Sequence, residues 1–118
     1  MIRFYRGDSL IITCNVRDSK GNPVDLTDYQ IRAEIGDYNN TVSIKKANSN
    51  VTGGSDDEIY LVDLDTFNVV FTPDDTVQLE PEQEYLLEVE ITSPDNVRTT
   101  VISETVKPKR DLITWESK

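Results

Sequence analysis

Apolar side chains fall in short runs along this chain, one beginning about every ten to fifteen residues, with turn-forming residues between them. That is the rhythm of a β-sandwich or barrel. Ile2 to Tyr5 forms the first run and stops at Arg6-Gly7-Asp8, where Gly7 can take a positive φ and bend the chain. Ser9 to Val16 is nearly continuous in apolar residues at its start and suits a central strand. In Asp18-Ser19-Lys20-Gly21-Asn22-Pro23, five of six residues favour turns, which predicts a tight connection. Gln30 to Gly36 alternates strictly. Ile31, Ala33 and Ile35 share one face and Arg32 and Glu34 the other, as in a half-buried strand.

The segment Asp37–Asp57 breaks this rhythm. Asn39, Asn40, Asn48 and Asn50 crowd it, together with Gly53 and Gly54. Only Thr41-Val42-Ser43-Ile44 alternates, which predicts a short edge strand; the remainder reads as a long exposed loop. Strand patterning resumes at Glu58–Val62 and Thr66–Phe71. Thr72-Pro73-Asp74-Asp75 then marks a helix start. Thr72 can cap, Pro73 suits the first helical position, and two aspartates favour the positive end of the dipole. Pro81 limits this helix to one or two turns, through about Leu79, so it reads as a crossover between sheets. Glu84–Ile91 is the clearest alternating strand, with Tyr85, Leu87, Val89 and Ile91 on one face and Glu88 and Glu90 on the other. Ser93-Pro94-Asp95-Asn96 predicts a hairpin turn, and Val97–Val106 its returning strand. The prediction is an all-β sandwich domain of about seven to nine strands over residues 1–106, with one short helical crossover and a tail over 107–118.

Charge narrows the partners. Lys plus Arg number 12 against 22 Asp plus Glu, a net charge of −10. Such a surface repels phosphate backbones and anionic membranes, so neither nucleic acid nor membrane is expected as a partner. No apolar stretch approaches the roughly 18 residues of a membrane span. Met1–Arg6 lacks the apolar segment of a signal peptide. The single cysteine, Cys14, lies in a run that reads as buried and is expected to be a structural thiol in a reducing compartment.

Candidate chemistry is sparse. The sequence has no histidine, which removes the Ser-His-Asp arrangement, most acid–base dyads and the usual zinc sets. No catalytic residue, cofactor site or metal site is assigned. Asp56, Asp57, Glu58, Asp63 and Asp65 lie close enough in sequence to raise calcium, but their spacing does not match an EF-hand loop, and a solvated acidic loop is the expected reading. Arg6-Gly7-Asp8 is the tripeptide that integrins recognise; here it also has a plain role as a turn between two strands. Trp115, the only tryptophan, either packs back on the domain or anchors a partner. Tyr38, Asn39 and Asn40 in the Asn-rich segment, with Leu112 and Trp115 in the tail, are the residues expected to touch a partner.

The order of these pieces resembles a family of small bacteriophage domains. Phe4-Tyr5-Arg6-Gly7-Asp8-Ser9, the apolar strand Leu10–Val16, the turn Asp18–Pro23, Val24-Asp25-Leu26-Thr27 and the alternating Gln30–Ile35 follow its pattern. Thr72–Leu79 resembles its short helical crossover, and Glu84–Ile91 and Val97–Val106 its last two strands. The family is the immunoglobulin-like domain found at the N-terminus of phage baseplate upper proteins and in free-standing small virion proteins. Residues 37–57 and the tail depart from the pattern. The resemblance implies an antiparallel immunoglobulin-like sandwich and a structural, non-enzymatic place in the virion: tail, baseplate, neck or capsid-associated. The chain would be made in the bacterial cytoplasm and would contact other virion proteins or further copies of itself. It implies no cofactor and no catalytic residues, and it makes Arg6-Gly7-Asp8 a fold element in which Asp8 bonds to nearby backbone N–H groups. A carbohydrate-binding or host-adhesion sandwich, calcium-dependent in one version, is the alternative reading; Tyr38, Tyr60 and Trp115 would be its aromatic contacts.

Overall fold

Alternation of apolar and polar side chains decides the facing of nearly every strand. A computed structural model describes residues 1–39, 41 and 43–110. The strands are β1 (Ile2–Tyr5), β2 (Leu10–Asn15), β3 (Gln30–Gly36), β4 (Ser43–Ala47), β5 (Ile59–Asp63), β6 (Thr66–Phe71), β7 (Tyr85–Thr92) and β8 (Arg98–Lys109), with one short helix, α1 (Pro73–Thr76), between β6 and β7. They form a five-stranded sheet in the order β1-β8-β7-β3-β4 and a three-stranded sheet in the order β2-β6-β5. Neighbouring strands run antiparallel except β1 and β8, which are parallel, with Ile2 opposite Val106 and Tyr5 opposite Lys109.

The buried face of each sheet carries the residues that alternation assigns to it. Ile31, Ala33 and Ile35 of β3 lie beside Leu87, Val89 and Ile91 of β7, and Phe67, Val69 and Phe71 of β6 face inward from the other sheet. Together with Leu26, Ile59, Leu79, Tyr85 and Val106 they form one hydrophobic cluster. Full burial of side chains of this size contributes about 1.5–3 kcal/mol each. Cys14 is part of this cluster as a free thiol, and burial pushes its pKa up.

The crossover is capped as its residues suggest. The Thr72 hydroxyl accepts a bond from the Asp75 N–H, and the Asp75 carboxylate accepts one from the Thr72 N–H, which makes a capping box. The helix is shorter than the predicted limit and ends at Thr76; single turn bonds carry the chain on to Leu79, whose N–H donates to the Thr76 carbonyl. It joins β6 of the smaller sheet to β7 of the larger one, as a crossover should.

Three expectations are corrected. The run Ser9–Val16 does not occupy a central position: β2 is an outermost strand of the three-stranded sheet. Leu10, Ile12 and Cys14 point inward and are buried, while Ile11 points out and is 52% exposed. The apolar run therefore reflects one buried face plus an exposed isoleucine. The long exposed loop expected within Asp37–Asp57 is shorter than expected: residues 48–57 are turns and mostly exposed, but β4 takes the stretch before them and two asparagines tie the loop to the fold. β4 extends to Ala47, and Asn48 is buried, accepting a bond from the Ile31 N–H and donating to the Tyr29 carbonyl. Asn50 donates to the Thr27 and Tyr29 carbonyls, and Gly54 N–H to the Val51 carbonyl. Two asparagines thus tie this stretch to the entry of β3, because their short amides replace backbone partners where the ladder stops. Finally, β8 runs to Lys109, so Lys107, Pro108 and Lys109 belong to the sheet and not to a tail.

Candidate interaction surfaces

The Arg6-Gly7-Asp8 turn is built into the fold. Gly7 takes φ of 91°, and its N–H donates to the Thr76 hydroxyl at 2.9 Å. That hydroxyl in turn donates to the Asp8 carbonyl at 2.9 Å. The Arg6 guanidinium donates from Nε to the Leu79 carbonyl and from Nη2 to the Val77 carbonyl, at 2.8 and 2.6 Å. The expected anchoring by the Asp8 side chain is replaced by these bonds: Arg6 and Thr76 hold the turn against the crossover, and Asp8 contributes its backbone. The Arg6 head is therefore occupied with carbonyls of its own chain.

The outer face of the five-stranded sheet carries a charged groove of about 500 Å³ lined by Arg32, Glu34, Lys45, Glu88, Glu90 and Thr100, among others. Cross-strand register places Arg32 opposite Glu90 and Glu34 opposite both Lys45 and Glu88. Glu34 also accepts a bond from the Ser43 hydroxyl, and Glu90 pairs with Arg98 at 3.4 Å. The groove is a mixed-charge surface whose one directly opposed like pair is Glu34–Glu88.

The outer face of the three-stranded sheet differs in kind. Thr13 donates to Asn68 at 2.6 Å, Asn68 to the Tyr60 hydroxyl at 3.1 Å, and Asn15 to Thr66 at 2.8 Å. With Ile11 beside Val70, these residues make an uncharged band across all three strands. At its end Arg17 meets Asp65 at 3.6 Å. Hydrogen bonds from Asn15 and Thr66 hold the Asp65 carboxyl below its usual range, against the opposing effect of burial, and Arg17 adds to the lowering.

Of the residues expected to touch a partner, Tyr38 is 78% exposed and Asn39 is exposed, both at the tip between β3 and β4. Asn40, Leu112 and Trp115 lie outside the described residues. The structure also exposes Ile11, Val62, Leu64 and Val97, which sequence reading did not single out. Ile11 carried a usable signal: it is the apolar residue that breaks alternation in an otherwise period-two strand. Among the acidic residues weighed for calcium, Glu58 accepts a bond from the Ala47 N–H and Asp63 one from Leu64 N–H. Among the described residues no three His, Cys, Asp or Glu side chains gather as a metal site, and no helix is long and apolar enough to cross a membrane. Comparison with models of known protein families and with curated protein sequences finds no match to this chain.

Proposed function

We propose that this chain is a non-enzymatic immunoglobulin-like domain that serves as a structural part of a bacteriophage virion, acting through contacts with other virion proteins. The observation that carries the reading is the strand order. In immunoglobulin-like sandwiches one sheet contains the second, fifth and fourth strands and the other the third, sixth and seventh. If β1 is set aside as a strand that lies beside the last one, β2-β6-β5 corresponds to the first sheet. β3, β7 and β8 correspond to the second, with β4 as an added edge strand. The parallel β1–β8 pair fits a first strand that has moved to the sheet of the last.

The motifs shared with small phage virion domains also have structural work in this fold. The Arg-Gly-Asp-Ser turn packs on the crossover, the Asp18–Pro23 turn closes on the Asp18 carboxylate, and the Thr-Pro-Asp-Asp segment caps α1. A chain that spends its distinctive residues on turns and caps supports a binding module more than an enzyme. The test is to purify infectious particles from lysed bacteria carrying the gene and quantify this chain by mass spectrometry. A fixed copy number per particle is the expected result. A chain left entirely in the soluble lysate, with particles intact, would overturn the reading.

A further inference from the structure

β2 has the composition of an interior strand and the position of an outer one. Leu10-Ile11-Ile12-Thr13-Cys14-Asn15 contains no charged residue and no proline, although 29% of the chain is charged. The other outer strands carry the features that discourage edge pairing: Arg3 in β1, Lys45 and Lys46 in β4, and in β5 both Asp63 and a register shift between Leu61 and Asp63. β2 has neither charge nor shift; its pairing with β6 is regular from Leu10 to Asn15.

The phase of its open side follows from one bond. Val16 N–H donates to the Asp65 carbonyl, so the even-numbered residues of β2 bond to β6. The N–H and C=O groups of Ile11, Thr13 and Asn15 are then directed to the open edge. The inward side chains tell the same story. Leu10, Ile12 and Cys14 keep 8–9% exposure, whereas Phe67, Val69 and Phe71 on the adjacent strand keep none.

We propose that β2 pairs antiparallel with β2 of a second copy, about a two-fold axis at Thr13, to make a continuous six-stranded sheet. The centre is self-complementary. Thr13 meets its own symmetry mate, Ile11 meets Asn15, and about six backbone bonds form across the axis. A second copy presents the same charge-free strand: with the axis at Thr13 no charged side chain of either β2 faces another across the new pair, so two molecules of net charge −10, which repel over most approaches, can join along this edge. This contact gives a partner to the binding role proposed above and rests on that role.

Thr13→Cys in a Cys14→Ala background tests it. Hydrogen-bonded antiparallel pairs hold Cα atoms about 5.5 Å apart, within disulfide reach. Mild oxidation is expected to convert the monomer band to a disulfide-linked dimer, while Lys45→Cys in the same background, on β4, stays monomeric. Sedimentation velocity of the unaltered chain is expected to show a concentration-dependent dimer that Thr13→Lys abolishes, with an unchanged circular dichroism spectrum. Equal cross-linking at residues 13 and 45, or an unaltered chain that stays monomeric at every concentration, overturns the β2 contact. If such a chain is nevertheless found in particles, only this contact falls and the virion reading stands.

Discussion

Lys46 Nζ lies 2.8 Å from Asp75 Oδ2, an ion pair that ties an outer strand of the five-stranded sheet to the crossover leaving the other sheet. Both side chains are largely covered, at 12% and 15% exposure, so the pair is less screened than a surface bridge. Burial alone would push the Asp75 carboxyl up, but bonds from Lys46 and from the Thr72 N–H and hydroxyl, with the Lys46 charge, bring it below its usual 3.8. A carboxyl lowered in the folded state adds stability above its unfolded pKa, and that stability is lost as pH falls through the folded value. Asp75→Asn is expected to cost about 1–3 kcal/mol at neutral pH and to flatten the decline in stability below about pH 4. Urea titrations at pH 7 and pH 3 check this; an unchanged acid limb would remove Asp75 as its source.

Asn48 is expected to matter far more than its neighbours in sequence. Asn48→Ala strands the buried Ile31 N–H and leaves the Tyr29 carbonyl with only its bond from Asn50, a loss of about 1–3 kcal/mol. Asn39→Ala, at an exposed tip, is expected within about 0.5 kcal/mol of the parent. Gly54→Ala belongs with Asn48. A Cβ there would overlap the Asn48 carbonyl, within 2.7 Å of its carbon. Gly53→Ala meets open space and only the cost of φ +87°, about 1–2 kcal/mol. Thermal denaturation should rank Gly54→Ala as the more damaging of the two.

The Arg-Gly-Asp turn gives an asymmetric prediction. Arg6→Ala removes two charge-assisted bonds to the crossover and is expected to cost about 1.5–3 kcal/mol. Asp8→Ala leaves the carbonyl that Thr76 uses and is expected to cost under about 0.5 kcal/mol. Equal losses in chemical denaturation would show that the Asp8 carboxylate shares the anchoring.

β7 offers a test of facing. Leu87 is fully buried, so Leu87→Asp should abolish cooperative unfolding. Glu88 sits on the outer face directly opposite Glu34, so Glu88→Lys replaces a repulsion by an attraction and is expected to stabilise by about 0.2–1 kcal/mol. Destabilisation by Glu88→Lys in a melting experiment would place that side chain elsewhere.

Most of the strands were legible because alternation records burial directly: β3 and β7 read off residue by residue. The Thr72 cap and the helix start were legible because Thr72, Pro73 and the two aspartates act within one turn; the return bond from the Thr72 N–H to the Asp75 carboxylate, which completes the capping box, appears only in the structure. The asparagines of residues 48–50 were not. Their partners at residues 27–31 lie about twenty positions away, and asparagine that replaces a backbone partner looks, in sequence, like asparagine in a solvated loop. The edge position of β2 was hidden for a related reason. Alternation reports which side chains are covered but says nothing about how many neighbours a strand's backbone has.

The parallel pairing of β1 with β8 has a mechanical consequence. Ile2 and Lys109 lie toward opposite ends of that pair, so a tensile load applied between the first and last described residues loads its hydrogen bonds together, in shear. Force applied instead between Gly36 and Ser43 would open the β3–β4 hairpin one bond at a time. Single-molecule pulling along the first axis is expected to meet a higher rupture force than along the second. The fold would then act as a stiff link along its own chain direction, suited to transmitting tension from whatever is joined to one end to whatever is joined to the other.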